Sequence, residues 1–185
     1  MFFITLIGVI FSPFLILIFA PGFSQIDTDN GRYELSVEML RFTFPYLFFI
    51  SLTALCGAVL NTKKHFWATA FNPVILNIVL ILSAVLLAPN FDNPGLALAI
   101  GVFVAGILQL LFLLPFLKSF NRVPKPKWGW KDSGVKRVIK LMIPSLIGGS
   151  ASQINLLINT LIASFLAAGS VSWIYYSDRL LEFPV

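Results

Sequence analysis

Arg179 is the residue of this chain whose type and position most strongly indicate chemistry. It lies about ten residues into an apolar segment that starts after Gly169, so on a helix it would reach about 15 Å into a hydrocarbon core of roughly 30 Å. A charge at that depth is costly unless it faces a partner or a water-filled cavity. Asp178 and Glu182 are the nearby acids, and Glu182 falls on the same helical face as Arg179.

Two interpretations of this charged group follow. Asp178 could compensate Arg179 directly, which would make the group a buried structural ion pair. Alternatively, Arg179 is an anion-binding cation that nearby carboxylates tune. We favour the second interpretation, because the guanidinium fork can bind a phosphate through two donors.

A polar stripe runs along the preceding apolar segment. At about 100° per residue its members fall within roughly 140° of one helix face: Ser145, Gly148, Gly149, Ser152, Asn155, Asn159 and Thr160. Such a stripe can serve tight helix packing or form one wall of a hydrated cavity. Asn155 and Asn159 favour the cavity, because an amide needs hydrogen-bond partners that a glycine does not.

The remaining sequence shows no pattern typical of an enzyme. It contains no metal-ligand spacing, no glycine-rich phosphate loop and no Ser/His/Asp set, so we predict neither catalysis nor a metal or cofactor. Cys56, the one cysteine, lies in an apolar run and is predicted to be a small packing residue.

The composition indicates an all-α, multi-pass membrane protein. Hydrophobic residues make up 58% of the chain and charged residues 11%, against about 25% charged in soluble domains. Lipid cannot satisfy free backbone groups, which favours helices. Six apolar segments are predicted, of which the last is only a partial span: 1–20, 40–60, 66–88, 95–117, 141–168 and 170–185.

The loop charges predict orientation and domain organisation. The chain carries a net charge of +5, and its basic residues concentrate in the loops at 61–65 and 118–140, which the positive-inside rule assigns to the cytoplasm. We therefore predict a first lobe at 1–117, a basic cytoplasmic linker at 118–137 and the start of a second lobe at 138–185. A short amphipathic stretch at 131–140 is expected to lie along the inner membrane surface.

Several stretches of the chain resemble the MurJ (MviN) family. They cover nearly the whole sequence in order, and the last is the most specific: Ala20-Pro21-Gly22-Phe23, Arg41-Phe42-Thr43-Phe44-Pro45-Tyr46, Gly57-Ala58-Val59-Leu60-Asn61, Asn72-Pro73-Val74-Ile75-Leu76-Asn77, Gln153-Ile154-Asn155, Ala163-Ser164-Phe165-Leu166 and the run from Gly169 to Pro184.

The resemblance implies part of a lipid II flippase of the multidrug/oligosaccharidyl-lipid/polysaccharide exporter superfamily in the bacterial inner membrane. The chain would supply the third to the eighth helices, about a third of a full-length member, and Arg179 would fall on a cavity arginine that the family requires. The implied substrate is lipid II, a peptidoglycan precursor linked to undecaprenyl pyrophosphate. Arg179, Asp178, Ser152, Asn155 and Asn159 are the expected substrate-binding residues, with membrane lipids but no nucleic acid as further partners. The alternatives are a drug or polysaccharide exporter of the same superfamily, and a non-transporting scaffold for cell-wall assembly.

Overall fold

The chain folds into helices throughout the part that the structure, a computed structural model, describes, namely residues 1–25, 31–119, 133–167 and 169–182. No strand occurs among these residues. The α-helices are α1 (Phe2–Ile10), α2 (Ser12–Phe19), α3 (Gly22–Gln25), α4 (Arg32–Thr43), α5 (Tyr46–Thr62), α6 (Phe66–Ala70), α7 (Asn72–Leu82), α8 (Pro94–Ser119), α9 (Ser133–Ser164) and α10 (Ser170–Glu182). A π-helical turn at Ser83–Leu87 and a 3₁₀ turn at Ala88–Asn90 follow α7.

Four helical stretches among these residues are long and apolar enough to cross a membrane: Arg32–Thr62, Phe66–Asn90, Pro94–Ser119 and Ser133–Ser164. A fifth is obtained if α1 and α2 count as one bent span. The 13 residues of α10 cover only about 20 Å, less than a hydrocarbon core. The prediction of an all-α, multi-pass membrane protein is therefore confirmed.

The first predicted segment is divided by a bend of 74° between α1 and α2. Pro13 has no N–H to donate to the carbonyl of Val9, four residues earlier, and so removes one helical hydrogen bond. The Ser12 hydroxyl donates to this carbonyl instead, at 3.0 Å. By contrast, Pro115 and Pro144 lie inside α8 and α9, and both helices continue past them.

Helix α9 begins before the apolar segment that the sequence predicts. It runs from Ser133 to Ser164 and so includes the described part of the amphipathic stretch expected on the inner membrane surface. No proline interrupts the helix between Ser133 and Pro144. Lys136, Arg137 and Lys140 therefore lie on the first turns of the fifth span, and a separate surface helix is not formed there.

The described residues form two compact units. One lies within Met1–Leu15 and Tyr33–Lys125 and contains α1 and α4 to α8; the other lies within Ile16–Arg32 and Pro126–Val185 and contains α3, α9 and α10. The buried apolar cluster of the first unit comes from α5, α6 and α8: Cys56, Leu60, Ala68, Leu113 and Leu117. Cys56 is 5% exposed in this cluster, which confirms its predicted packing role.

Small residues bring α5 and α8 close together in the first unit, as expected for helices packed in a membrane. A Cβ atom added to Gly106 would lie 2.7 Å from the Tyr46 ring and 3.1 Å from the Phe49 Cβ. Both neighbours lie at the start of α5, so a side chain larger than hydrogen at Gly106 would collide with that helix. Gly106 therefore sets the distance between the two helices.

We expect Gly106→Leu to lower the thermal unfolding midpoint of the chain in detergent. Overpacking of a well-filled contact costs about 1–3 kcal/mol, and here the added side chain must push α5 away from α8. Loss of the helical circular dichroism signal on heating measures the effect.

Gly148→Leu provides the matched control, because no described heavy atom lies within 4 Å of a Cβ atom placed there. Leucine favours a helix over glycine by about 1 kcal/mol or less, so this variant should unfold at the same or a higher temperature. An equal loss in both variants would show that close packing at Gly106 is not the cause.

Candidate functional site

The turn before α10 places Arg179 at the end of a short amphipathic helix. Gly169 has a φ of 96°, a left-handed conformation that glycine adopts without strain. The backbone N–H and the side-chain hydroxyl of Ser170 both bond to the carbonyl of Ala167, at 3.2 and 2.9 Å. Helix α10 then begins at Ser170 and carries Arg179 in its last turn, so the helix start assumed in estimating the depth of Arg179 is confirmed.

Tyr175 is a partner of Arg179 in the structure. The Arg179 Nε donates to the Tyr175 hydroxyl at 3.3 Å, and the guanidinium carbon lies 5.3 Å from the centroid of the same ring. A guanidinium over a ring face gains a cation–π attraction. Sequence reasoning missed Tyr175, although a spacing of four residues puts both side chains on one helix face.

The two acids near Arg179 occupy different positions. Asp178 is exposed, and within the described part of the chain it forms no ion pair with Arg179. Adjacent residues on a helix do not face each other, which explains why the direct compensation considered from sequence is not formed. Glu182 is the last residue of α10, and its side chain lies outside what the structure describes.

The polar stripe lies on the middle and end of α9. Asn155 is exposed and Asn159 half-buried, and neither side-chain amide bonds to another described residue. Ser152 is helical, but its side chain is outside the described set. The apolar side of the helix is also more than half exposed, at Leu146, Ile147 and Ile154. Neither face of this part of α9 is therefore covered by other described residues.

A close backbone approach joins α3 to the end of α9, and the sequence carried no local signal for it. The Gly22 N–H donates to the Ser164 hydroxyl at 3.1 Å, and this hydroxyl donates to the Leu161 carbonyl at 2.7 Å. Ser164 is 3% exposed. A Cβ atom on Gly22 would clash with the Ser164 carbonyl, so only glycine permits this contact.

A cavity of about 210 Å³ lies beside this contact, and Phe23 and Leu166 are among the residues that line it. It belongs to the same unit as α3, α9 and α10. Gly169 and Ser170 also line it, so it reaches the turn from which α10 starts.

A second cation lies inside a candidate span. From sequence, Arg41 lies near the outer end of the second predicted segment, where its side chain is expected to extend to the lipid headgroups. In the structure Arg41 Nε donates to the hydroxyl of Ser12 at 3.2 Å, and Ser12 is fully buried. Among the described residues no group of three or more His, Cys, Asp or Glu side chains is placed to hold a metal ion.

Comparison with known proteins places the whole chain in one family. The sequence profile described as Lipid II flippase MurJ matches residues 1–185. A probable lipid II flippase MurJ from Haemophilus influenzae is 50% identical over 98% of this chain and 36% of its own length.

Two further relatives of the same family also match nearly the whole chain. The probable lipid II flippase MurJ from Vibrio cholerae is 51% identical, covering 98% of this chain and 35% of its own length. The lipid II flippase MurJ from Burkholderia cenocepacia is 43% identical, with the same two coverages. The chain therefore spans about a third of the length of these curated relatives.

Proposed function

Because this chain belongs to the lipid II flippase MurJ family, we propose that it supplies part of a transporter that moves lipid II across the bacterial inner membrane. The observation that carries this proposal is the match of the family profile over all 185 residues. The four or five candidate spans support a multi-pass membrane protein. Transport of this kind needs binding and reorientation of the lipid, with no covalent step.

Arg179 is proposed to bind the pyrophosphate of the lipid. Its Nε bond and ring contact with Tyr175 restrict the guanidinium to one side of α10. A planar guanidinium offers five N–H donors in a fixed fork, which suits the paired oxygens of a phosphate. Asp178, exposed one residue earlier, is proposed to set the local charge without pairing to Arg179.

The polar stripe of α9 is proposed to line the path of the headgroup. Asn155 and Asn159 have amides that bond to no other described residue, and Ser152 lies about one turn before Asn155 on the same helix. Amides exposed along one side of a span can exchange hydrogen bonds with a sugar or peptide headgroup as it passes. The lipid tail would remain in the bilayer.

The proposed mechanism is alternating access between two lobes. We assign residues 1–117 to the first lobe, 118–137 to the cytoplasmic linker and 138–185 to the second lobe. With these bounds Gly22 belongs to the first lobe and Ser164 to the second, although both lie in one compact unit of the structure. We infer from the loop charges that both lie near the outer surface. Their backbone contact is proposed to hold the outer side closed in one of the two transport states.

The test is cargo competition in a full-length chimera, in which this chain replaces the matching segment of the Vibrio cholerae relative; it is called the chimera below. In proteoliposomes we expect fluorescent lipid II to become accessible to an outer-leaflet reagent. Excess unlabelled lipid II should suppress the signal more than an undecaprenyl-linked polysaccharide precursor does.

Each alternative function has its own outcome in this assay. Stronger suppression by the polysaccharide precursor, or transport of a cationic drug, would identify an exporter of another cargo. Absence of lipid II transport by a folded chimera that still assembles with cell-wall proteins would identify a scaffold. Either result would refute the proposed flippase.

A further inference from the structure

A cavity of about 300 Å³ lies between the start of α2 and one face of α4. Its lining residues are Pro13, Tyr33, Glu34, Val37, Glu38 and Arg41, and all belong to the first compact unit. The volume is at the lower end of the range for small-molecule sites, roughly 300–1,000 Å³. No residue of this cavity belongs to the proposed lipid II path.

The spacing along α4 explains why three charges share this cavity. Glu34, Glu38 and Arg41 follow one another at four and three residues, so their side chains project from one helix face. All three are exposed. The cavity therefore carries one cationic end and one doubly anionic end along about two helical turns.

The cationic end is fixed in place but keeps donors available. Arg41 Nε donates to the hydroxyl of Ser12 at 3.2 Å, and buried Ser12 donates onward to the Val9 carbonyl at 3.0 Å. This is the single hydrogen bond that Arg41 forms with other described residues. Its two terminal nitrogens remain available to an anion, and such charge-assisted bonds are strong.

The anionic end has acceptors that no described residue satisfies. Glu34 and Glu38 form neither a hydrogen bond nor an ion pair with another described side chain. Like charges four residues apart on a helix repel each other. An ammonium group between the two carboxylates would remove this repulsion and would supply N–H donors to both. The Tyr33 hydroxyl donates to the Pro13 carbonyl at 3.2 Å, which joins α4 to the start of α2 beside these acids.

The position of Arg41 before α5 indicates that this cavity lies near the level of the lipid headgroups. Arg41 comes shortly before the apolar helix α5, which begins at Tyr46, a separation of about 8 Å along a helix. The headgroup layer outside the hydrocarbon core is about 5–8 Å thick on each side. A ligand with both a phosphate and an ammonium group is abundant at this level.

We propose that this cavity binds the headgroup of phosphatidylethanolamine, with its phosphate on Arg41 and its ammonium between Glu34 and Glu38. Phosphatidylglycerol offers the phosphate without the ammonium. Phosphatidylcholine offers a quaternary ammonium that has no N–H to donate. The two ends of the cavity therefore select the primary amine together with the phosphate.

The experiment measures which lipids remain bound to the chain after reconstitution with equal amounts of the three lipids and extraction into detergent. Mass spectrometry of the retained lipid should show phosphatidylethanolamine enriched over phosphatidylcholine by about fivefold, the ratio that one exposed charge pair of about 1 kcal/mol gives. Arg41→Gln should abolish the enrichment. Glu38→Gln weakens the ammonium end of the cavity, so this variant should retain phosphatidylglycerol in preference to phosphatidylethanolamine.

Lys63→Gln is the matched control, because it removes one cation at the other end of α5 and should leave the enrichment unchanged. Arg41→Lys keeps the charge and loses the fork, so it should retain part of the enrichment; circular dichroism confirms that each variant is folded. Equal retention of all three lipids, a preference for phosphatidylglycerol in the unmodified chain, or the same loss in Lys63→Gln would overturn the proposal. Displacement of the lipid by millimolar inorganic phosphate would show a site for free anions instead.

Discussion

Arg179→Ala is expected to reduce lipid II transport by the chimera by about ten- to a hundredfold. A hydrogen bond to a charged group contributes about 1.5–3 kcal/mol, and each 1.4 kcal/mol corresponds to a factor of ten. The guanidinium is the group on α10 that we assign to the pyrophosphate, and alanine supplies neither its charge nor its donors. Outer-leaflet accessibility of fluorescent lipid II in proteoliposomes measures the rate.

Arg179→Lys separates the charge of this residue from its geometry. Lysine keeps the charge but cannot offer the planar fork or the same contact with the Tyr175 ring, so its rate should fall between those of Arg179→Ala and the unmodified chimera. An equal rate for lysine and alanine would show that the fork is essential.

Arg137→Ala is the control for general effects of losing an arginine, because Arg137 is exposed on the first turns of α9. It should transport within about twofold of the unmodified protein, as expected for an exposed charge outside the proposed lipid path. Normal transport by Arg179→Ala at an unchanged protein level would exclude the proposed role of Arg179. Loss of partner assembly in that variant with transport intact would favour the scaffold.

The features that sequence predicted well depend on local chemistry. The left-handed Gly169 and the Ser170 that follows it mark the start of α10, so the position of Arg179 in that helix could be counted from the turn. The bend in the first segment also has a local cause, because Pro13 cannot donate a helical hydrogen bond. Its angle of 74° could not be predicted, because the Ser12 side chain that replaces the lost bond also binds Arg41, which belongs to another helix.

The features that sequence missed depend on contacts between distant residues. The hydrogen bond between Arg41 and buried Ser12 could not be anticipated, because Ser12 lies 29 residues away in the sequence. Gly22 and Ser164 are separated by 142 residues, and a glycine that permits a backbone approach leaves no periodic pattern. The contact between Tyr175 and Arg179 could have been predicted from sequence, because residues four apart on a helix lie on the same face.

Gly22→Ala is expected to open the junction between α3 and α9. The added Cβ would clash with the backbone carbonyl of Ser164 and lie 2.6 Å from the Phe165 nitrogen, and backbone cannot swing aside as a flexible side chain can. Overpacking of about 1–3 kcal/mol would lower the population of the closed junction by about fivefold to a hundredfold.

The closed junction can be detected by cross-linking across the adjacent cavity. Phe23→Cys and Leu166→Cys introduce two thiols that line this cavity, while Cys56→Ala removes the one native cysteine of the chain. A short bifunctional thiol reagent should join the pair in the chimera, whose remaining cysteines are also replaced. Adding Gly22→Ala should reduce the cross-linking rate by about tenfold and should slow transport, because one of the two access states becomes less populated.

Two further variants separate the steric effect from the hydrogen bond. Ser164→Ala removes the hydroxyl that accepts from the Gly22 N–H and donates to the Leu161 carbonyl within α9. The loss across the junction is about 1 kcal/mol, so cross-linking should fall by about fivefold or less. Gly148→Ala, where a Cβ atom meets open space, should leave cross-linking unchanged. If Gly22→Ala cross-links and transports like the unmodified chimera, the backbone approach is absent in the membrane, and closure of the outer side must rest on other residues. If cross-linking falls while transport is unchanged, the junction forms but does not gate the passage of lipid.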